Sequence, residues 1–157
     1  MLVRAFTVAA CMLLAAATAV AQSGSFARIS EKKAIFADVQ QDVTDAIVGR
    51  GFVIDYMAKI GDMLVRTAKD VGATREVYRN AIALQFCSVK LSREMFEADP
   101  AAIVLCPYVI AIYELADKPG TIHVTYRRLP EGGTPEARKA IGAIETLLRD
   151  IVAEALK

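Results

Sequence analysis

The chain has 157 residues, with 19 basic and 18 acidic side chains, three cysteines and one histidine, and 55% of it is hydrophobic. A chain of this length makes one ordinary domain rather than two. Its charge balance lacks the basic excess that marks binding to nucleic acid or an anionic membrane, so neither partner is expected.

Met1 to Arg4 gives a short positive start, and Ala5 to Ala17 is an apolar run without charge. Ala19-Val-Ala21 then supplies an A-x-A cleavage site, so residues 1–21 read as a secretory signal peptide, cut after Ala21. The run is too short and too rich in small residues for a membrane span, and none is expected after cleavage. Cys11 lies inside the apolar run rather than at its end, which argues against a lipoprotein box. The mature chain keeps 18 basic and 18 acidic residues and two cysteines, Cys87 and Cys106. It is expected to be periplasmic or secreted, an oxidising setting where an even pair of cysteines tends to bond.

Residues 22–30 read as a flexible lead and 31–157 as a single domain, although a strand pattern runs over Phe26 to Ile35. Phe36, Val39, Val43 and Ile47 recur at helical spacing, with acids on the other face and a stop at Gly49-Arg-Gly51. Phe52 to Tyr56 predicts a second strand. A second helix should bury Ile60, Met63, Leu64, Ala68 and Val71 and end at Gly72. Ala73 to Asn80 is polar, and Ala81 to Phe86 is apolar enough to be a buried strand. A short helix through Val89, Leu91, Met95 and Phe96 ends at Asp99-Pro100. A fourth strand is expected over Val104 to Glu114, and Asp117 to Gly120 has turn chemistry. In the fifth strand, Ile122, Val124 and Tyr126 alternate with Thr121, His123, Thr125 and Arg127. Thr134-Pro-Glu136 opens a last amphipathic helix with the stripe Ala137, Ile141, Ile144, Leu148, Ile151 and Ala155. This order predicts an α+β fold, a mostly antiparallel sheet of about five strands with helices on one face. The bare opposite face would need a partner, so a homodimer is expected.

Several phrases, in this order, resemble the family called domain of unknown function 302. They are the first helix with Gly51-Phe-Val, the second helix and loop ending at Tyr78, and the Phe86-Cys87 pair. Glu97-Ala-Asp-Pro100, Leu105-Cys106 and Val109 to Glu114 complete the match, which covers about Ser30 to Leu156. Two positions depart from the family pattern. Ser88-Val89 stands where Asn-Pro is usual after the first cysteine, and Pro107 follows Cys106 where a proline usually precedes it. The resemblance implies a fold similar to a single copy of the TATA-box-binding-protein-like fold, often paired as dimers, without any implied DNA binding or activity. It also implies antiparallel third and fourth strands, which would bring Cys87 and Cys106 to one shared edge.

Three readings of that pair remain open: a structural disulfide, two small core residues, or a thiol site for redox chemistry, a metal or a cofactor. Cys87, Cys106 and Tyr108 form the candidate ligand or redox edge. No C-x-x-C is present and His123 is the only histidine, so a zinc or c-type haem site is not expected, and no cofactor is named by the residues. His123 reads as an ordinary exposed strand residue, and Ser88 has no evident histidine base. Tyr78-Arg79 and Tyr126-Arg127-Arg128 could together form an anion-binding edge, with solvated charge as the plainer alternative. No catalytic residue is assigned. The chain therefore reads as a non-enzymatic module that binds a small ligand or a partner, with a thiol-based redox or sulfur-handling enzyme using Cys87 and Cys106 as the alternative.

Overall fold

The computed structural model describes residues 26–157. The expected signal peptide and cleavage site, and residues 22–25 of the expected lead, lie outside the described residues. The elements run β1 (Ala27–Lys33), α1 (Phe36–Val48), β2 (Ile54–Ala58), α2 (Ile60–Thr67), β3 (Tyr78–Phe86), α3 (Val89–Ala98), a 3₁₀ helix (Pro100–Leu105), β4 (Tyr108–Leu115), β5 (Thr121–Arg127) and α4 (Pro135–Ala155). The strands form one sheet in the order β1-β5-β4-β3-β2, with every neighbouring pair antiparallel. The expected α+β fold is present.

Strand alternation decides which residues make the core. Ile82, Leu84 and Phe86 of β3, Tyr108, Ile110 and Ile112 of β4, and Ile122, Val124 and Tyr126 of β5 share one face, and all belong to one buried cluster. Over them lie Val39, Val43 and Ile47 of α1, Met95 of α3 and the stripe Ile141, Ile144, Leu148 and Ile151 of α4. Each fully buried aliphatic side chain contributes about 1.5–3 kcal/mol relative to exposure. Thr134 caps α4 by accepting from the Ala137 N–H, and Pro135 takes a position where its missing N–H has no helical partner to lose.

Several boundaries differ from the sequence reading. Residues 27–30, assigned to the lead, are strand, because β1 pairs with β5 from Ala27↔Arg127 onward. β2 starts later than expected, and β3 starts earlier, at Tyr78, which pairs with Leu115. The residues expected to open the fourth strand belong instead to the 3₁₀ helix. The Asp99 carboxylate accepts from the Ala101 N–H and Pro100 sits at its first turn, which favours a helical start. The largest difference is α2. None of its residues is buried, and Met63, Leu64, Val65 and the following Val71 are exposed. It lies in the connection between neighbouring β2 and β3, outside the layer of α1, α3 and α4, so its apolar stripe has no core to meet.

Candidate functional site

The end of β3 and the start of β4 lie side by side, Phe86 opposite Tyr108. Cys87 leaves the first strand and Cys106 enters the second, which sets their Cα atoms 6.3 Å apart and lets them close a disulfide. The pair sits at an end of two central strands rather than on an edge strand. Ser88 is the N-cap of α3, its hydroxyl accepting from the Leu91 N–H at 3.4 Å, so it serves the helix and not a nucleophile's role. The Cys106–Pro107 peptide is cis.

Above the disulfide is an open, mostly apolar groove of about 540 Å³, lined by Cys87, Val89, Ser92, Phe96 and Cys106, with Arg93 and Glu97 also in its lining. Arg93 and Glu97 are paired at 3.6 Å. Val89 is 80% exposed, and Ile103 and Val104 of the adjoining 3₁₀ helix are exposed too. Tyr108, expected beside the cysteines at this edge, is instead buried beneath α3. Its hydroxyl is 2.8 Å from Ser92 Oγ, which also lies 3.7 Å from Cys106 Sγ. Burial pushes the Tyr108 phenol above its usual pKa, against hydrogen bonds with Ser92 and the Ser88 backbone. Tyr108 therefore braces the groove from below as a neutral hydroxyl.

The opposite face of the sheet carries a row that the sequence reading did not assemble. Tyr78 of β3 meets Tyr113 of β4 edge-on at 5.3 Å, and Tyr113 stacks on His123 of β5 at 4.7 Å with rings 3° from parallel. His123 Nε2 is 3.4 Å from a Glu31 carboxylate oxygen on β1. His123 lies on the face that alternation predicted, but it is 7% exposed rather than solvent-facing. A wide sheet buries such a residue between its row neighbours without any covering layer. Its Nδ1 is buried and has no hydrogen-bond partner among the described residues. Burial raises the Tyr113 pKa, and Tyr78 and Glu31 add to the shift. The register that aligns the row depends on pairings across four strands, which periodicity within one strand does not disclose.

Glu114 of β4 is a third buried polar group. It accepts from the Gly120 N–H at 2.7 Å and from Asn80 Nδ2 at 2.6 Å, with Arg79 Nε 3.9 Å away. The Gly120 bond, then Asn80 and Arg79, hold its carboxyl below the ordinary range, overcoming desolvation. Gly120 has φ +78°, a conformation that favours glycine, so the turn presents its N–H to Glu114 without Cβ strain. The proposed joint anion edge does not form. Tyr78 pairs with Leu115 at one end of β4, whereas Tyr126 pairs with Ile110 towards the other. Among the described residues no cluster of three or more His, Cys, Asp or Glu side chains could hold a metal ion, and no helix is long and apolar enough to cross a membrane.

The model of the family described as Domain of unknown function DUF302 matches residues 28–155. Among solved structures, the chain is similar to the crystal structure of an uncharacterised conserved protein DUF302 from Bacillus stearothermophilus. That match has a TM-score of 0.69 at 11% sequence identity, covering 85% of this chain and 99% of the other. At that identity the likeness establishes the fold alone. A comparison with curated proteins found no match.

Proposed function

The chain belongs to the DUF302 family, and on that premise we propose that it is an exported, non-catalytic binding module whose groove over the Cys87–Cys106 disulfide takes an apolar group of a small ligand or protein partner. The observation that carries this reading is the state of the groove floor: the two sulfurs are bonded to each other, and Ser88 is committed to its cap. The chain's only histidine is on the other face of the sheet. Exposed Val89 and the half-buried Phe96 present apolar surface without a nucleophile–base pair beside it.

An apolar fluorescent dye, anilinonaphthalene sulfonate, tests the groove. Its uptake by the wild-type protein should fall by at least half in Val89→Asp. Equal uptake by both proteins overturns the reading. Turnover of a thiol–disulfide substrate that disappears in Cys87→Ser would favour the alternative, a thiol-based redox enzyme. The specific support for that alternative is that both cysteines are only half-buried, within reach of an external thiol. Export itself is tested by intact mass, which should start at Gln22.

The module acts as a homodimer through the open face of the sheet. Tyr78 belongs both to the aromatic row and to an apolar groove of about 500 Å³ with Leu64, Val65, Val71 and Val77, so the bare stripe of α2 and the sheet face form one surface. A second copy matches it in kind, since a two-fold interface sets the same apolar patch against itself. Sedimentation equilibrium should give a dimer for the wild type and a monomer for Val65→Glu. A monomeric wild type at high concentration overturns the assignment.

A further inference from the structure

Four residues of α4, Arg138, Ile141, Gly142 and Glu145, recur at spacings of three and four and therefore share one helical face. With Arg28 of β1 and Arg128 just beyond β5, this face encloses a cleft of about 220 Å³, on the side of the sheet away from the aromatic row. Two of the three arginines are already held. Arg28 Nε is 3.4 Å from Glu145 Oε1, and Arg138 donates to the Gly133 carbonyl at 2.6 Å. Glu145 is fixed in turn by the Leu129 N–H, 3.4 Å from its other oxygen. Arg128 is half-buried in the cleft lining, and its guanidinium has no hydrogen bond or ion pair among the described residues. Three guanidinium groups face only two carboxylates in the lining, Glu131 and Glu145, so one positive charge is left uncompensated.

Gly142 gives independent support. Glycine inside a helix destabilises it relative to alanine and is usually explained by close packing. Here no neighbouring group lies within 4 Å of where a Cβ would stand. Packing does not require this glycine; what its missing side chain leaves open is the cleft.

We propose that this cleft is a binding site for a small tetrahedral oxyanion of the phosphate class, with Arg128 as its principal ligand and Arg28 and Arg138 completing the cradle. The planar guanidinium fork matches phosphate oxygens in pairs, and the cleft is smaller than the roughly 300 Å³ at which pockets for larger organic ligands begin. Glu145 positions Arg28 and also sets the polarity of the site, by holding one arginine back from full engagement with the anion. The cleft is separate from the disulfide groove, and the proposal stands whether or not that groove binds a ligand.

Amide-resolved NMR of the ¹⁵N-labelled protein, titrated with inorganic phosphate against chloride at constant ionic strength, tests it. Saturable shifts are expected at the Leu129 and Gly142 amides. Arg128→Gln should weaken the dissociation constant at least tenfold. Gly142→Ala provides the second variant: it should raise the thermal midpoint without ligand while weakening phosphate binding. That opposition separates a binding role from a folding defect. Shifts that chloride reproduces, or an unchanged constant in Arg128→Gln, overturn the site. Tighter binding of succinate than of phosphate overturns the tetrahedral class. Phenyl phosphate binding as well as phosphate identifies a phosphomonoester ligand, and its exclusion identifies the free ion; both outcomes support the site.

Discussion

The two faces of the sheet come from the same strands and the same alternation, yet they bury their residues by different means. On the face under α1, α3 and α4, Leu84, Ile110, Ile112 and Ile122 are 0% exposed because a second layer covers them. On the other face Ala83 and His123 are also buried, at 4% and 7%, with no helix of the main layer above them. For His123 the cover comes from within the sheet, from the stacked Tyr113 ring on β4 and the Glu31 side chain on β1. Covered burial is mostly aliphatic, and the polar groups it takes in, Ser92, Tyr108 and Glu114, are hydrogen-bonded. In-plane burial on the open face leaves one buried atom, His123 Nδ1, without a hydrogen-bond partner among the described residues.

Ile144→Ala, on the buried face of α4, should cost about 2–5 kcal/mol through lost burial and the cavity left behind. Ile29→Ala, 55% exposed on the open face, should stay within about 0.5 kcal/mol. Urea unfolding at a concentration where both proteins are monomeric would measure the pair, and similar losses would dissolve the distinction between the faces. The next effect comes from the strand ends. The disulfide joins residues 19 apart, and replacing both Cys87 and Cys106 by serine should cost about 3 kcal/mol by the loop-closure argument. Wild type treated with reductant should lose the same amount. A loss much below that would mean that the strand pairing, not the bond, holds the ends together.

The helical layer was legible in the sequence because its signals are local. The α4 stripe from Ala137 to Ala155 and its Thr134-Pro135 start were readable from spacing and capping chemistry, and every residue of the stripe is buried. The cysteine pair was legible as a pair, and its closeness followed once β3 and β4 were taken as antiparallel. What stayed hidden depends on register and on layers. The strand-five phase placed His123 on the correct face, but nothing within that strand says that Tyr113 lies flat against it or that Glu31 comes from the opposite terminus of the domain. The α2 stripe failed for the converse reason: Met63 and Leu64 carry a real amphipathic pattern, but the hairpin connection holds it away from the core. Tyr108 stands two residues after Cys106, but whether its side chain opens into the groove or turns beneath α3, where it meets Ser92, depends on packing that the sequence does not show.

Glu114 lies on the helix-side phase of β4 but works as a clamp, tying the β4–β5 turn to β3. Glu114→Ala should cost about 2 kcal/mol, since it leaves the Gly120 N–H and Asn80 amide without their acceptor. The pH dependence has a definite sign. The folded pKa lies below the ordinary value of about 4.3, so this stabilisation is fully present above that value and is lost as pH falls through the lowered folded pKa. Glu114→Gln should flatten the acid limb of a stability-versus-pH curve measured between neutral and about pH 3. An unchanged acid limb would show that other carboxylates govern it.

The smallest expected effect lies at the unpaired atom itself, His123 Nδ1. His123→Phe keeps a ring to stack on Tyr113 and removes the buried Nδ1 that has no partner. It also loses the 3.4 Å contact with Glu31, whose side chain is 67% exposed and whose pairing is therefore worth little. Removing an unsatisfied buried polar atom while preserving shape should be neutral or stabilising, so the monomer should gain up to about 1 kcal/mol in urea unfolding. If the open face is the dimer surface and Nδ1 is satisfied there by the second copy, the same substitution weakens dimerisation while leaving the monomer no less stable. The two measurements separate a cost of folding from a provision for assembly. A monomer destabilised by more than about 1 kcal/mol would mean that the nitrogen is already bonded within the chain, and burial on this face would then follow the same rule as burial under the helices.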